Sequence, residues 1–164
     1  MSHVEDRLAA LGLALPDACQ PRGAFLPYRK SGDLIFMAGQ IAEWNGATPY
    51  VGPVLGDGQT APAGLRTVDL ATGRKAAEVC ALNLLFHLKA AAGDLDRVKA
   101  VVRLGGFVQC LFGFAQSPQV INGASDLLIE LYGEAGRHAR TAVGVAGLPA
   151  NASVEVDAIF SLAD

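Results

Sequence analysis

Apolar and polar side chains alternate near the C-terminal end of the chain, and this alternation does most to limit the folds that the sequence can adopt. Every second residue over 152–162 is apolar, while Ser153, Glu155 and Asp157 lie at intervening positions. Because successive side chains of a β-strand point to opposite faces, the pattern predicts a strand with one buried and one polar face. A sheet that contains such a strand requires a second layer over its apolar face.

A shorter strand is predicted over residues 140–145, and residues 147–151 supply the Gly, Pro and Asn of a turn between the two strands. Arg140 on this strand and Glu155 on the next could act together. A guanidinium group binds a small carboxylate through two hydrogen bonds, and a nearby carboxylate can hold a water molecule or accept its proton. The simpler alternative is a cross-strand ion pair on a solvated face. The spacing alone favours that pair, because such pairs are common on antiparallel sheets.

The periodicity of the remaining chain predicts further helices and strands. They are a helix over 2–13, an extended segment over 18–30, a strand over 33–41, a returning edge strand over 50–54, a helix from 69 or 72 to 92, a strand over 99–108 and a helix over 117–132. Asn45-Gly46 is a strong hairpin signal, and Ser117-Pro118 is typical of a helix start. The order β-β-α-β-α-β-β after an N-terminal helix predicts an α+β fold, in which two helices cover one face of a mixed or antiparallel sheet.

The composition indicates an ordered globular protein without a broad nucleic-acid surface. The 164 residues are about half apolar and carry a formal net charge of −3, which disfavours binding to phosphate backbones. The three cysteines are widely spaced and lack a CxxC motif, so neither a zinc site nor a disulfide framework is indicated. Cys80 and Cys110 lie in apolar runs and are expected to be buried thiols. No apolar run of signal or membrane-spanning length is found, which leads us to expect a cytoplasmic protein that does not bind membranes.

Several motifs resemble those of the Rid (reactive intermediate deaminase) family, also called YjgF-like or L-PSP endoribonuclease. The matching stretches are Arg140-Thr-Ala-Val-Gly-Val, Leu148-Pro149, Val154-Glu155-Val156-Asp157, residues 32–41, residues 120–126 and residues 136–140. The resemblance covers the chain from Gly23 onward, so we divide it into an N-terminal helix and lead-in at 1–22 and a single Rid-like domain at 23–164. This arrangement is similar to a longer subgroup of the family. The resemblance implies a chorismate-mutase-like fold and a homotrimer with sites between subunits.

The same resemblance implies an activity. Arg140 would bind the carboxylate of a 2-imino acid such as iminopropanoate, and Glu155 would position the hydrolytic water. The products would be a 2-oxo acid and ammonia, formed without a metal or another cofactor. Asn122 matches a family asparagine that lies near the pocket.

Three positions depart from the family pattern and keep a second function open. Phe25 stands where active members have Tyr, Ala142 where Cys is frequent, and Ala38 where a small hydroxyl residue is common. We expect these side chains to line the substrate site and to make it more apolar. The alternative is a non-catalytic protein that binds small carboxylates at the same Arg140. Ribonuclease activity is disfavoured by the acidic balance and by the lack of a basic aromatic platform.

Two histidines have competing interpretations. His138 precedes Arg140 and could be a proton shuttle, although histidines in glycine-rich loops are more often exposed or hydrogen-bonded locally. His87 interrupts the long helix and is expected on its outer face.

Overall fold

A five-stranded mixed sheet lies at the centre of the fold in a computed structural model that describes residues 3–17 and 23–163. The elements are α1 (His3–Ala10), β1 (Tyr28–Ser31), β2 (Leu34–Ile41), α2 (Leu70–Ala92), β3 (Val98–Gln109), α3 (Ser117–Tyr132), β4 (Ala139–Val145) and β5 (Val154–Leu162), with 3-10 turns at Leu95–Arg97, Gly133–Gly136 and Pro149–Asn151. The strand order is β1-β2-β5-β3-β4. Only β3 and β4 run parallel, and the other neighbours are antiparallel. The predicted α+β architecture is therefore confirmed.

The apolar side of β5 faces α2, as the alternation predicts, and α3 covers the same side of β3 and β4. Val154, Val156 and Phe160 have no exposed surface, and removing a side chain of this size from water contributes about 1.5–3 kcal/mol. We call the opposite side the open face, because it lies away from α2 and α3. It carries residues 155, 157 and 159 of β5 and their neighbours on the adjoining strands.

One glycine permits the close approach of α3 to the sheet. A Cβ atom on Gly106 of β3 would lie 2.4 Å from a side-chain carbon of Ile121. Any larger residue would push the helix away, so the position requires glycine.

The long helix α2 follows its sequence signals closely. The Asp69 side chain accepts a hydrogen bond from the Thr72 amide at 2.7 Å, and Gly93 ends the helix at φ 83°. The predicted outward position of His87 is wrong, because only 5% of this residue is exposed. The sheet, α3 and the N-terminal segment leave little of α2 uncovered, and burial lowers the pKa of His87.

The predicted strand over 50–54 is also wrong. Asn45-Gly46 does form a tight turn, in which Trp44 and Ala47 exchange backbone hydrogen bonds of 2.8 and 3.0 Å. The chain then leaves β2, since both edges of that strand are occupied by β1 and β5. The partner of β2 is instead the preceding strand β1, joined to it by a turn in which Gly32 has φ 59°.

The helix boundaries differ from the prediction at two places. α1 ends at Ala10, and Leu11 is 44% exposed, while residue 2 lies outside the described residues. α3 is preceded by Gln116 rather than capped by Ser117, whose side chain is buried. Within the described ranges, no helix is both long enough and apolar enough to cross a membrane.

The expectation for the cysteines holds in part. Cys80 is buried, whereas Cys110 is only partly buried, and burial raises the pKa of its thiol. Residue 19 lies outside the described residues.

Candidate active site

Arg140 lies on the edge strand β4 and points toward α3. Its Nη1 donates to Asn122 Oδ1 at 2.8 Å and to Ser125 Oγ at 2.9 Å, and its Nη2 donates to the Pro118 carbonyl at 3.3 Å. A guanidinium group has five N–H donors. Nε–H and one Nη2 hydrogen therefore have no acceptor within the part of the chain that the structure describes. α3 thus holds one side of the guanidinium and leaves two donors for a carboxylate.

Ser125 and His138 form a hydrogen-bonded chain behind this arginine. Ser125 Oγ lies 3.0 Å from His138 Nε2, and His138 Nδ1 lies 2.6 Å from the Gly136 carbonyl oxygen. Ser125 was not among the site residues expected from the sequence. Its spacing of three residues from Asn122 puts both side chains on one face of α3, which is the signal that could have revealed it.

The environment of His138 favours a neutral imidazole. Burial lowers the pKa of His138, the hydrogen bond to the Gly136 carbonyl opposes this effect, and the positive charge of Arg140 lowers it further. The local hydrogen bonding was the simpler of the two interpretations of His138, and it describes the observed contacts.

Glu155 lies on the open face, directly over Gly39 of β2. A Cβ atom on Gly39 would come within 2.0 Å of Glu155 Oε1, so this glycine provides the space that the carboxyl group occupies. Glu155 is half-buried and has no hydrogen-bond or ion-pair partner among the described residues. Burial raises the pKa of Glu155, and the charge of Asp157 raises it further. A half-buried carboxyl group with a raised pKa and no partner is a candidate general base.

The neighbouring carboxylate is already paired. Asp157 lies 3.0 Å from Nη1 of Arg103 on β3. This ion pair is more than a quarter exposed on both sides, which makes it a modest contribution to stability. Among the described residues, Asp157 therefore has an ion-pair partner, whereas Glu155 has none.

Arg140 and Glu155 lie on opposite faces of the sheet within one chain. β3 separates β4 from β5, and Arg140 is level with Leu104 and Ala158 rather than with Glu155. The two residues are separated by about 10 Å across the strands and about 10 Å along them. The interpretation of the pair as a cross-strand ion pair is therefore wrong, since their strands are not neighbours.

The other predicted site residues fall into two groups. Asn122 and Ala142 accompany Arg140, the first through its hydrogen bond and the second as a partly buried residue of β4. Ala38 adjoins Gly39 on β2, and its amide donates to the Pro27 carbonyl at 2.9 Å. Phe25 lies two residues before this contact and is 49% exposed.

An open cleft of about 720 Å³ between α1 and the end of α2 includes neither Arg140 nor Glu155. Among the residues that the structure describes, no group of three or more His, Cys, Asp or Glu side chains could hold a metal ion.

Comparison with known proteins finds relatives over almost the whole chain. A family model described as "YjgF/chorismate mutase-like, putative endoribonuclease" matches residues 5–162. Protein TCP17 of Trypanosoma cruzi is 41% identical over 161 residues, which are 98% of this chain and 94% of that protein.

Solved structures show the same architecture. The crystal structure of Atu1372 from Agrobacterium tumefaciens, a protein with unknown function, is 42% identical and has a TM-score of 0.85, over 98% of this chain and 93% of its own. RidA from the Antarctic bacterium Psychrobacter sp. PAMC 21119 is 22% identical with a TM-score of 0.55, over 90% of this chain and 94% of its own. The likeness to RidA concerns the fold alone.

Proposed function

The chain belongs to the YjgF/chorismate-mutase-like family, and from this premise we propose that it is a Rid-type hydrolase of reactive 2-imino acids and their enamine tautomers. The products are a 2-oxo acid and ammonia. The observation that carries the proposal is the state of Arg140, which α3 holds on one side while Nε–H and one Nη2 hydrogen remain available. That arrangement suits a planar carboxylate on a small substrate.

Glu155 supplies the chemistry that an imine requires. With the substrate carboxylate on Arg140, the carboxylate of Glu155 accepts a proton from water as the water oxygen bonds to the imine carbon, and the C=N electron pair moves to nitrogen. The protonated Glu155 returns this proton to the amino nitrogen. As the C–N bond breaks, the hydroxyl proton passes to the departing nitrogen, so that ammonia leaves and the carbonyl of the 2-oxo acid forms. A raised pKa suits a group that must both accept and return a proton.

Arg140 and Glu155 can act on one substrate only if they come from two different chains. Because Arg140 and Glu155 lie on opposite faces of one sheet, we propose that the protein is a homotrimer in which neighbouring subunits complete each site. The apolar character of the open face supports this assembly. Phe36 and Val143 are 42% and 40% exposed there, which leaves two large apolar side chains on this face for a neighbouring subunit to cover.

A coupled assay tests the activity. An amino-acid oxidase generates imino acids, and semicarbazide traps whatever imine survives. We expect the wild-type protein to suppress the trapped product and Arg140→Ala to lose this effect. Arg137→Ala is the matched control, because Arg137 lies three residues away in an exposed ion pair with Glu134. Equal trapping with and without the wild-type protein would refute the proposal.

The second candidate is a non-catalytic protein that binds small carboxylates. Phe25, Ala38 and Ala142 offer no side-chain hydrogen bonds, and an absent donor to a substrate costs about 1–3 kcal/mol. A wild-type protein that is stabilised by 2-oxo acids through Arg140 but leaves the trapped imine unchanged would be a binder.

A further inference from the structure

The protonation state of His138 follows from its two contacts. A carbonyl oxygen only accepts hydrogen bonds, so the 2.6 Å contact with Gly136 requires a proton on His138 Nδ1. In the neutral ring Nε2 then lacks a hydrogen and can only accept. Ser125 Oγ, at 3.0 Å, must therefore direct its hydroxyl hydrogen to His138 Nε2.

This arrangement determines what Ser125 offers to Arg140. With its one hydrogen used by His138, Ser125 Oγ faces Arg140 Nη1 with a lone pair at 2.9 Å. Asn122 Oδ1 accepts the second Nη1 hydrogen at 2.8 Å. Both hydrogens of Nη1 are held, and this fixes the plane of the guanidinium group. Without His138 the hydroxyl hydrogen could rotate toward the arginine and repel it.

We propose that His138 is a positioning residue, which acts through Ser125 to hold Arg140 in the orientation that binds a substrate carboxylate. This inference rests on the proposed function of Arg140. His138 itself does not contact the substrate in this arrangement, because Ser125 lies between it and the arginine. The relay therefore affects substrate affinity rather than the chemical step at Glu155.

A proton added to His138 disrupts the relay. Nε2 then donates to Ser125, the hydroxyl hydrogen loses its acceptor, and a second positive charge lies near Arg140. The other charged groups on the surrounding elements have partners of their own: Glu134 with Arg137 in the preceding turn, Asp126 of α3 with Arg74, and Arg103 of β3 with Asp157. Glu130 lies one helical turn beyond Asp126 and is exposed. Arg140 is thus the charge to which His138 responds.

The tautomer provides a test that does not depend on activity. Long-range proton–nitrogen NMR distinguishes the two ring nitrogens of a histidine, and His138→Gln identifies the signals of this residue among the three histidines of the chain. We expect the proton on Nδ1 and a bare Nε2 at neutral pH. A proton on Nε2 would overturn the relay.

Substrate affinity provides the functional test. We expect His138→Ala and Ser125→Ala to raise KM in the imine assay, and the Kd for a 2-oxo acid, roughly five- to tenfold, which is the effect of one lost hydrogen bond. Little change is expected in kcat. His138→Gln retains a neutral acceptor and should restore the affinity, and it should also remove the loss of affinity that the wild-type protein shows on acidification. His3→Gln is the control, because His3 lies at the exposed start of α1.

The outcomes separate the relay from the proposed function. If the wild-type protein hydrolyses imines while His138→Ala and Ser125→Ala keep its KM and its pH profile, the relay is wrong and the function stands. If the wild-type protein binds 2-oxo acids without hydrolysing imines, the function is wrong and the Kd values still decide the relay. A wild-type protein that binds no 2-oxo acid through Arg140 overturns both.

Discussion

Gly39 and Glu155 face each other across β2 and β5 so closely that a single methyl group on Gly39 would occupy the place of a carboxyl oxygen, 2.0 Å away. This contact links the backbone of one strand to the candidate general base on the next. A substitution at Gly39 can therefore displace the Glu155 side chain while its carboxyl group is retained.

Gly39→Ala is therefore expected to lower kcat at least tenfold while the fold remains intact. The backbone at Gly39 does not have the positive φ that favours glycine, so alanine fits once the flexible Glu155 side chain moves. The measurements are kcat in the imine assay and thermal unfolding. Gly147→Ala is the control, because a Cβ atom there meets nothing within 4 Å. An unchanged kcat would mean that the position of Glu155 does not matter to catalysis.

The activity should fall on acidification through the pKa of Glu155. The group must be ionised to accept a proton from water, and its pKa is raised above the ordinary value of 4.5 by burial and by Asp157. The acid limb of kcat, to which the effect of His138 on affinity does not contribute, should therefore lie above pH 4.5. Glu155→Gln should remove about two or more orders of magnitude of activity, since general-base catalysis contributes about 10²–10⁴-fold.

Asp157→Asn refines this pH prediction. It removes the negative charge that adds to the raised pKa, so the acid limb should move to lower pH. Two results together would show that another residue is the general base. They are an acid limb that stays at the same pH in Asp157→Asn and a Glu155→Gln variant that remains active.

The contact between Gly106 and Ile121 predicts a loss of stability when Gly106 is replaced by a larger residue. Gly106→Ala places a methyl group 2.4 Å from the Ile121 side chain in a closely packed region, and such overpacking costs typically about 1–3 kcal/mol. Urea unfolding measures the loss. Together with Ile121→Ala the loss should be less than additive, because alanine lacks all three side-chain carbons that the added methyl meets. Additive losses in the double variant would contradict this origin.

A charge on the open face should prevent assembly and thereby abolish activity. Val143 is 40% exposed on β4, and Val143→Glu would place a carboxylate in the proposed interface between subunits. Light scattering should show a folded monomer, and the imine assay should show no activity. Leu11→Glu is the control, because Leu11 is similarly exposed but follows α1 on the helical side of the protein. A trimer that persists in Val143→Glu would exclude this surface from the interface.

Local signals predicted the helices well. Asp69 and Gly93 delimit α2 because capping depends on hydrogen bonds within one turn, which the sequence displays directly. Pairing between distant strands is less visible. The Asn45-Gly46 turn formed as expected, yet the following strand did not, since the edges of β2 were already taken.

In the candidate site, too, local motifs were predictable from the sequence and contacts between distant elements were not. Arg140, Glu155 and Asn122 were identified from motifs, and the hydrogen bond between Arg140 and Asn122 brings two of them together. Their placement on two faces depends on the register of β4 and β5 against β3, which no local pattern reveals. The contact between Ser125 and His138 likewise joins a helix to a loop and is a property of the folded chain alone.

The position of β5 between β2 and β3 has a consequence for biosynthesis. The last of the five strands to leave the ribosome is the one that joins the two halves of the sheet. Until it emerges, β1–β2 and β3–β4 are separate pairs that each expose an unpaired strand edge. A premature stop codon between β4 and β5 therefore leaves two unjoined fragments of sheet for chaperones and proteases.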